Sequence, residues 1–98
     1  MIDYLPRVKC LLVDDRPENL LALSTLLRRD DVEVLEARSG AEALDLLLSH
    51  SVALALVDVQ MPDMDGFELA ELMRGSERTR DVPIIFVTAG AHDQLRIF

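Results

Sequence analysis

The sequence predicts an α/β domain built on a parallel sheet. Three observations carry this. Short aliphatic runs alternate with stretches of helical periodicity along the whole chain. Two of those runs, Val8–Val13 and Val52–Val57, are apolar throughout, as strands buried on both faces are. The chain has 98 residues, half of them hydrophobic, which is enough for one domain with an aliphatic core.

The elements follow in order. Val8–Val13, VKCLLV, reads as a buried strand ending at Asp14. Pro17 sits where a helix starts, and Leu20, Leu23 and Leu27 recur at helical spacing. Arg28 and Arg29 complement the dipole at the end of that helix. Val32–Ala37, VEVLEA, alternates apolar and acidic residues, the pattern of an edge strand with one wet face. Ser39 followed by Glu42 predicts a capping box, and Leu44, Leu47 and Leu48 the buried stripe of the second helix, with His50 near its end. Val52–Val57, VALALV, is the second fully apolar strand and ends at Asp58. After the loop VQMPDMDG, Leu69, Leu72 and Met73 mark a third helix closed near Gly75. Pro83 opens a fourth strand, IIFV, which ends at Thr88; Gly90 and Asp93 read as the approach to a fourth helix. Such alternation means right-handed βαβ units.

Charge and composition exclude several function classes. Lys plus Arg number 10 against 18 Asp plus Glu, a formal net charge of −8, so no face is expected to bind nucleic acid directly. The one cysteine, Cys10, cannot form an internal disulfide and reads as a small buried hydrophobe. No apolar run approaches the roughly 20 residues of a membrane span, and the start lacks the pattern of a signal peptide. The expected location is cytoplasmic.

The chemistry lies at the strand ends. If the two apolar strands are central neighbours, their C-terminal ends bring Asp14, Asp15 and Asp58 together. That edge of an open α/β sheet is where ligands bind. Three close carboxylates cannot all ionise without cost, so either a pKa rises or a cation enters. Oxygen donors without His or Cys suit Mg2+ or Mn2+ rather than zinc. Thr88 would place a hydroxyl on the same rim, and a carboxylate can attack a phosphoryl group to give an aspartyl-phosphate.

LLVDD, LALVDVQMPDMDGFE and VPIIFVTAG, in that order, closely resemble the receiver domain of two-component response regulators, in particular receivers attached to hybrid sensor kinases or output enzymes. The resemblance spans about residues 8–98. It implies a flavodoxin-like fold, a parallel sheet of order 2-1-3-4-5 with helices on both faces. It implies Asp58 as phospho-acceptor and Thr88 as the switch hydroxyl on the phosphoryl group. It implies a Mg2+ site of Asp15 directly, Asp14 mainly through water, Asp58, and the backbone carbonyl of Gln60. Ala89 would leave the acceptor accessible, and Pro62 and Gly66 would shape the loop into the third helix. The implied partner is a sensor histidine kinase or phosphotransfer protein. The domain would assist its own phosphorylation without being an enzyme in the metabolic sense.

The resemblance also implies a single domain over residues 1–98, truncated within the fourth helix: four strands, with the fifth strand, its lysine and aromatic residue, and the fifth helix missing. Lys9 is the sole lysine and begins the first strand, away from the acidic rim. Loss of one charge-stabilising donor is worth about 2.7–4 kcal/mol, so weakened phosphorylation is expected. The IIFV strand would become an exposed edge, and a homo-dimer or larger assembly through it is expected. The competing expectation is a signalling-dead module that acts only by such pairing.

Other readings fare worse. DMDG resembles part of a calcium loop, but Asp63, Asp65 and Gly66 at positions 3, 5 and 6 put Met61 and Leu72 where carboxylates are required. Asp65 is better placed to start the third helix. His50 reads as a helix end and His92 as a surface residue; Met61, Met64 and Phe67 read as loop and core packing. A hydrolase using the three aspartates would need a general base that the sequence does not offer.

Overall fold

The computed structural model describes residues 7–87 and 95–97. Four parallel strands, β1 (Val8–Val13), β2 (Val32–Ala37), β3 (Leu54–Asp58) and β4 (Ile84–Val87), alternate with three helices, α1 (Pro17–Leu27), α2 (Gly40–Ser49) and α3 (Gly66–Arg74). A short β5 (Leu95–Ile97) completes a sheet of order β2-β1-β3-β4-β5. This is the flavodoxin-like order, in which the direction of winding reverses between β1 and β3.

Strand periodicity sorts the core into two layers, because successive side chains leave a strand on opposite faces. Leu11 and Val13 of β1, with Ala55 and Val57 of β3, join the larger cluster, which also holds Ala43 and Leu47 of α2 and Leu69, Ala70 and Met73 of α3. Cys10 and Leu12 face the other way and pack with Leu20 of α1, flanked by half-buried Leu23, Leu27, Leu54 and Leu56. α1 therefore covers one face, and α2 and α3 the other.

The helix ends show how local sequence sets the frame. Asp65 caps α3 in a full capping box: its Oδ1 accepts the Glu68 N–H at 2.9 Å, and Glu68 Oε1 accepts the Asp65 N–H at 2.9 Å. At α2, Ser39 Oγ accepts the Glu42 N–H at 3.0 Å, but the Glu42 carboxylate reaches one residue further back, to the Arg38 N–H at 2.6 Å. α1 ends at Leu27, so Arg28 and Arg29 stand just past its last turn rather than within it.

Three expectations need correction. Leu48, expected in the buried stripe of α2, is 74% exposed, and Leu72, one of the residues marking α3, is 51% exposed; small Ala43 and Ala70 are buried against the sheet instead. β3 begins at Leu54, not Val52, and includes Asp58. The third concerns the chain after β4. Thr88, Ala89, Gly90, His92 and Asp93 lie outside the described residues, but Leu95–Ile97 is a strand, not part of a helix. It pairs antiparallel with β4, Ile85 opposite Ile97 and Val87 opposite Leu95. Residues 88–94 are too few for a parallel crossover, which takes roughly a dozen or more. The outer N–H and C=O groups of β4 thus find partners within the chain. The exposed β4 edge expected to drive self-association is covered.

The burial contrast on α2 predicts its own test. Leu47→Ala should cost about 2–5 kcal/mol. Leu48→Ala one position later should change stability by less than about 0.5 kcal/mol. Chemical denaturation of both variants checks which face of α2 meets the sheet.

Candidate functional site

Register brings the acidic residues together. Val13 of β1 sits opposite Val57 of β3, so the next residues along both strands, Asp14 and Asp58, end up level at the C-terminal edge of the sheet. Asp15 follows where the chain turns towards α1. One carboxylate oxygen from each of Asp14, Asp15 and Asp58 lies within 4.8 Å of the others. The cluster occupies the switch point between β1 and β3, the crevice where α/β sheets bind ligands.

The three are not equivalent. Asp14 and Asp58 are buried, each 3% exposed, and Asp15 is half-buried. Both Asp14 oxygens are held by protein: Oδ1 accepts the Arg16 N–H at 2.9 Å and Oδ2 accepts Asn19 Nδ2 at 3.2 Å. Asp58 Oδ1 accepts the Gln60 N–H at 3.2 Å. Asp15 makes no side-chain hydrogen bond among the described residues. Asp14 is thus fixed as a wall, while Asp15 and Asp58 Oδ2 accept no hydrogen bond from the described residues.

Burial pushes the Asp58 carboxyl above its ordinary pKa, and the charges of Asp14 and Asp15 push the same way. The Gln60 N–H and the Arg16 charge oppose the shift. A divalent cation would relieve both desolvation and mutual repulsion, and this all-oxygen donor set with no His or Cys fits Mg2+.

Neighbouring segments shape the pocket. Gly66 N–H donates to the Val59 carbonyl at 3.3 Å as α3 begins. A Cβ on Gly66 would collide with the Asp58 carbonyl oxygen and with Val59 Cα, so only glycine lets α3 start so near the end of β3. Within the loop, Asp63 takes a positive φ of 68°, a left-handed turn that Asp tolerates better than most residues. Met61 is buried, Met64 packs against the larger cluster, and the exposed Phe67 ring stands 4.7 Å from Phe86.

Of the sequence-predicted site residues, Asp14, Asp15 and Asp58 converge. Gln60 adjoins them through its N–H; Thr88 lies outside the described residues, directly after Val87, which pairs with Asp58. Lys9 is at the opposite end of β1, its Nζ 3.1 Å from His50 Nδ1. Sequence reasoning missed Asn19 and Arg16. Their signal was available in DDRPEN: a cation directly after the pair, and an amide one turn into the helix that begins there.

A flavodoxin-like sheet with three carboxylates at its switch point places an acidic cluster where open α/β sheets bind ligands. The family model described as "Response regulator receiver domain" matches residues 10–97, and the chain belongs to that family. It is 36% identical over 81 residues to the polar-differentiation response regulator DivK of Brucella ovis, covering 83% of this chain and 66% of DivK. It is 42% identical over 89 residues to the sensor protein GacS of Pseudomonas syringae, covering 88% of this chain but 10% of GacS. The chain thus spans just under two thirds of DivK and a small part of GacS. Among solved structures it resembles the response regulator TrrA of Thermotoga maritima in complex with Mg2+–BeF, with a TM-score of 0.77, 33% identity, and coverage of 87% of this chain and 72% of that one. No helix among the described residues is long and apolar enough to cross a membrane.

The raised Asp58 pKa fixes the sign of a stability effect. A carboxyl whose pKa rises on folding favours the folded state fully below its unfolded pKa, and that contribution is lost as pH rises through the folded value. At neutral pH ionised Asp58 therefore opposes folding in the absence of metal. Asp58→Asn, which keeps an acceptor for the Gln60 N–H, should raise Tm by a few degrees in chelator at pH 7. The gain should shrink as pH falls through the raised pKa; thermal melts across pH check it.

Proposed function

We propose that the domain accepts a phosphoryl group on Asp58 from the phosphohistidine of a sensor histidine kinase or phosphotransfer protein, in the cytoplasm, with Mg2+ bound at the acidic pocket. The observation that carries this is the convergence of Asp14 and Asp15 on a buried Asp58 whose carboxyl pKa is raised. Membership of the receiver family and the likeness to TrrA, crystallised with Mg2+–BeF, support it.

In this reading Asp14, Asp15, Asp58 and the Gln60 carbonyl hold the ion, which when bound offsets charge on the transferring group. Asp58 Oδ2, the oxygen without a hydrogen bond to the described residues, attacks phosphorus. The P–N bond breaks and its electron pair stays on the imidazole nitrogen. Gln60 N–H holds Oδ1 and so orients the attacking oxygen. Asn19 and the Arg16 N–H keep the Asp14 carboxylate from swinging into the space the phosphoryl group needs. Thr88, next after β4, supplies a hydroxyl to a phosphoryl oxygen. The acylphosphate then biases the domain between two packings, and the shift is the signal.

Incubation with acetyl phosphate and Mg2+ tests the reading by intact mass. The expected result is a single phosphoryl group on only a fraction of the chains, because the sole lysine, Lys9, stands at the opposite end of β1, with that addition lost in chelator and absent in Asp58→Asn. Addition that persists in Asp58→Asn, or proceeds equally without divalent ion, contradicts it.

A further inference from the structure

Two leucines at helical spacing that the fold leaves exposed, Leu48 of α2 and Leu72 of α3, border the same depression. It lies between the two helices, with a volume of about 410 Å³, and its floor is apolar: Leu44 and Leu47 from α2, and Met64 from the β3–α3 loop. A second depression of about 500 Å³ adjoins it, and Met64 and Leu72 line both, so the two together are treated as one groove. This groove is on the sheet face opposite α1 and is separate from the aspartate cluster. α2 and α3 thus carry more apolar surface than the core uses, and they carry it along one line.

The rim has a definite sign. Asp45 flanks the groove from α2, Asp63 from the loop, and Glu68 and Glu71 from α3. Against these four carboxylates, Arg78 is the one cation lining the groove among the described residues, and its Nε donates to the Leu47 carbonyl at 3.0 Å. An apolar trough between acidic banks is complementary to a helix with a hydrophobic stripe and basic flanks. A second copy of this groove is a poor match: face-to-face pairing would set acidic rim against acidic rim in a chain of net charge −8.

We propose that the α2–α3 groove is a docking site for an amphipathic helix of a partner protein, whose leucine-like side chains enter between Leu48, Met64 and Leu72 while its lysines or arginines pair with Asp45, Glu68 and Glu71. Met64 gives the groove a link to the phosphorylation site. It belongs to the loop that follows Asp58, and its Sδ lies so close to Gly40 that a Cβ there would collide with it. The groove and the aspartate cluster therefore share one loop.

Fluorescence anisotropy with the 98-residue chain and a labelled synthetic peptide tests this. The probe is a helix of roughly 16 residues with leucines at i, i+3, i+4 and i+7 and lysines on both flanks. A sister peptide carries glutamates in place of lysines. The expected result is saturable binding of the basic peptide, weakened about tenfold or more by Leu48→Ala with Leu72→Ala and by Glu68→Lys with Glu71→Lys. Leu21→Ala with Leu26→Ala, which removes equally exposed leucines from α1, should leave binding unchanged. Thermal melts confirm that each variant is folded, and amide chemical-shift changes should centre on Leu44, Leu48, Met64 and Leu72. No binding of the basic peptide, equal binding of the acidic one, or indifference to the Leu48 and Leu72 changes overturns the proposal. Self-association by sedimentation that Leu48→Ala and Leu72→Ala abolish would assign the groove to a second copy and overturn the proposed occupant.

Discussion

Repulsion among three carboxylates, held in place by the pairing of two strands, is the constraint on which this molecule turns. β1 and β3 are locked in parallel register from Cys10 opposite Leu54 to Val13 opposite Val57. Their side chains are buried between α1 on one face and α2 with α3 on the other. The strands cannot slip by one residue without turning every core side chain to the wrong face. Asp14 and Asp58 are therefore carried to the same level whether or not they repel. Core burial keeps the charges together and is the main reason the Asp58 carboxyl pKa is raised, with the charges of Asp14 and Asp15 adding to it.

The surroundings refine that tension rather than dissolve it. Asp14 is held in place by two hydrogen bonds, from the Arg16 N–H and the Asn19 amide, so both of its oxygens are positioned by the protein itself. Asp58 receives one, from Gln60, and its pKa stays raised. Asp15, half-buried and without a side-chain bond among the described residues, is the carboxylate most available to a metal. Gly66 lets α3 start against the Asp58 carbonyl, and Met64 ties the loop between them to α2. The acid pocket and the apolar groove are thus connected by one short loop.

Much of this was legible in the residues. Val8–Val13, Val32–Ala37 and the IIFV strand match the structure residue for residue, because an apolar run stopped by Asp14, an alternating run and an apolar run opened by Pro83 are each strong strand signals. The acidic trio followed from two buried strands ending alike. What escaped reading has physical reasons. Leu48 and Leu72 fit the helical period, yet a residue one position round the helix can point outwards when alanines serve the contact with the sheet. β5 escaped because its pairing is set by the short reach of residues 88–94, not by any local signal. Asn19 escaped because a hydrogen bond from a helix back to the preceding loop has no periodicity.

The central claim is best tested at the carboxylate itself. Titration of the Asp58 side-chain carboxyl carbon by NMR, with and without Mg2+, reads its ionisation directly. The account predicts a midpoint above the ordinary aspartate value of about 3.9 in metal-free protein, and a fall when Mg2+ is added. An ordinary midpoint that Mg2+ leaves unmoved would mean that these aspartates are neighbours without being a site.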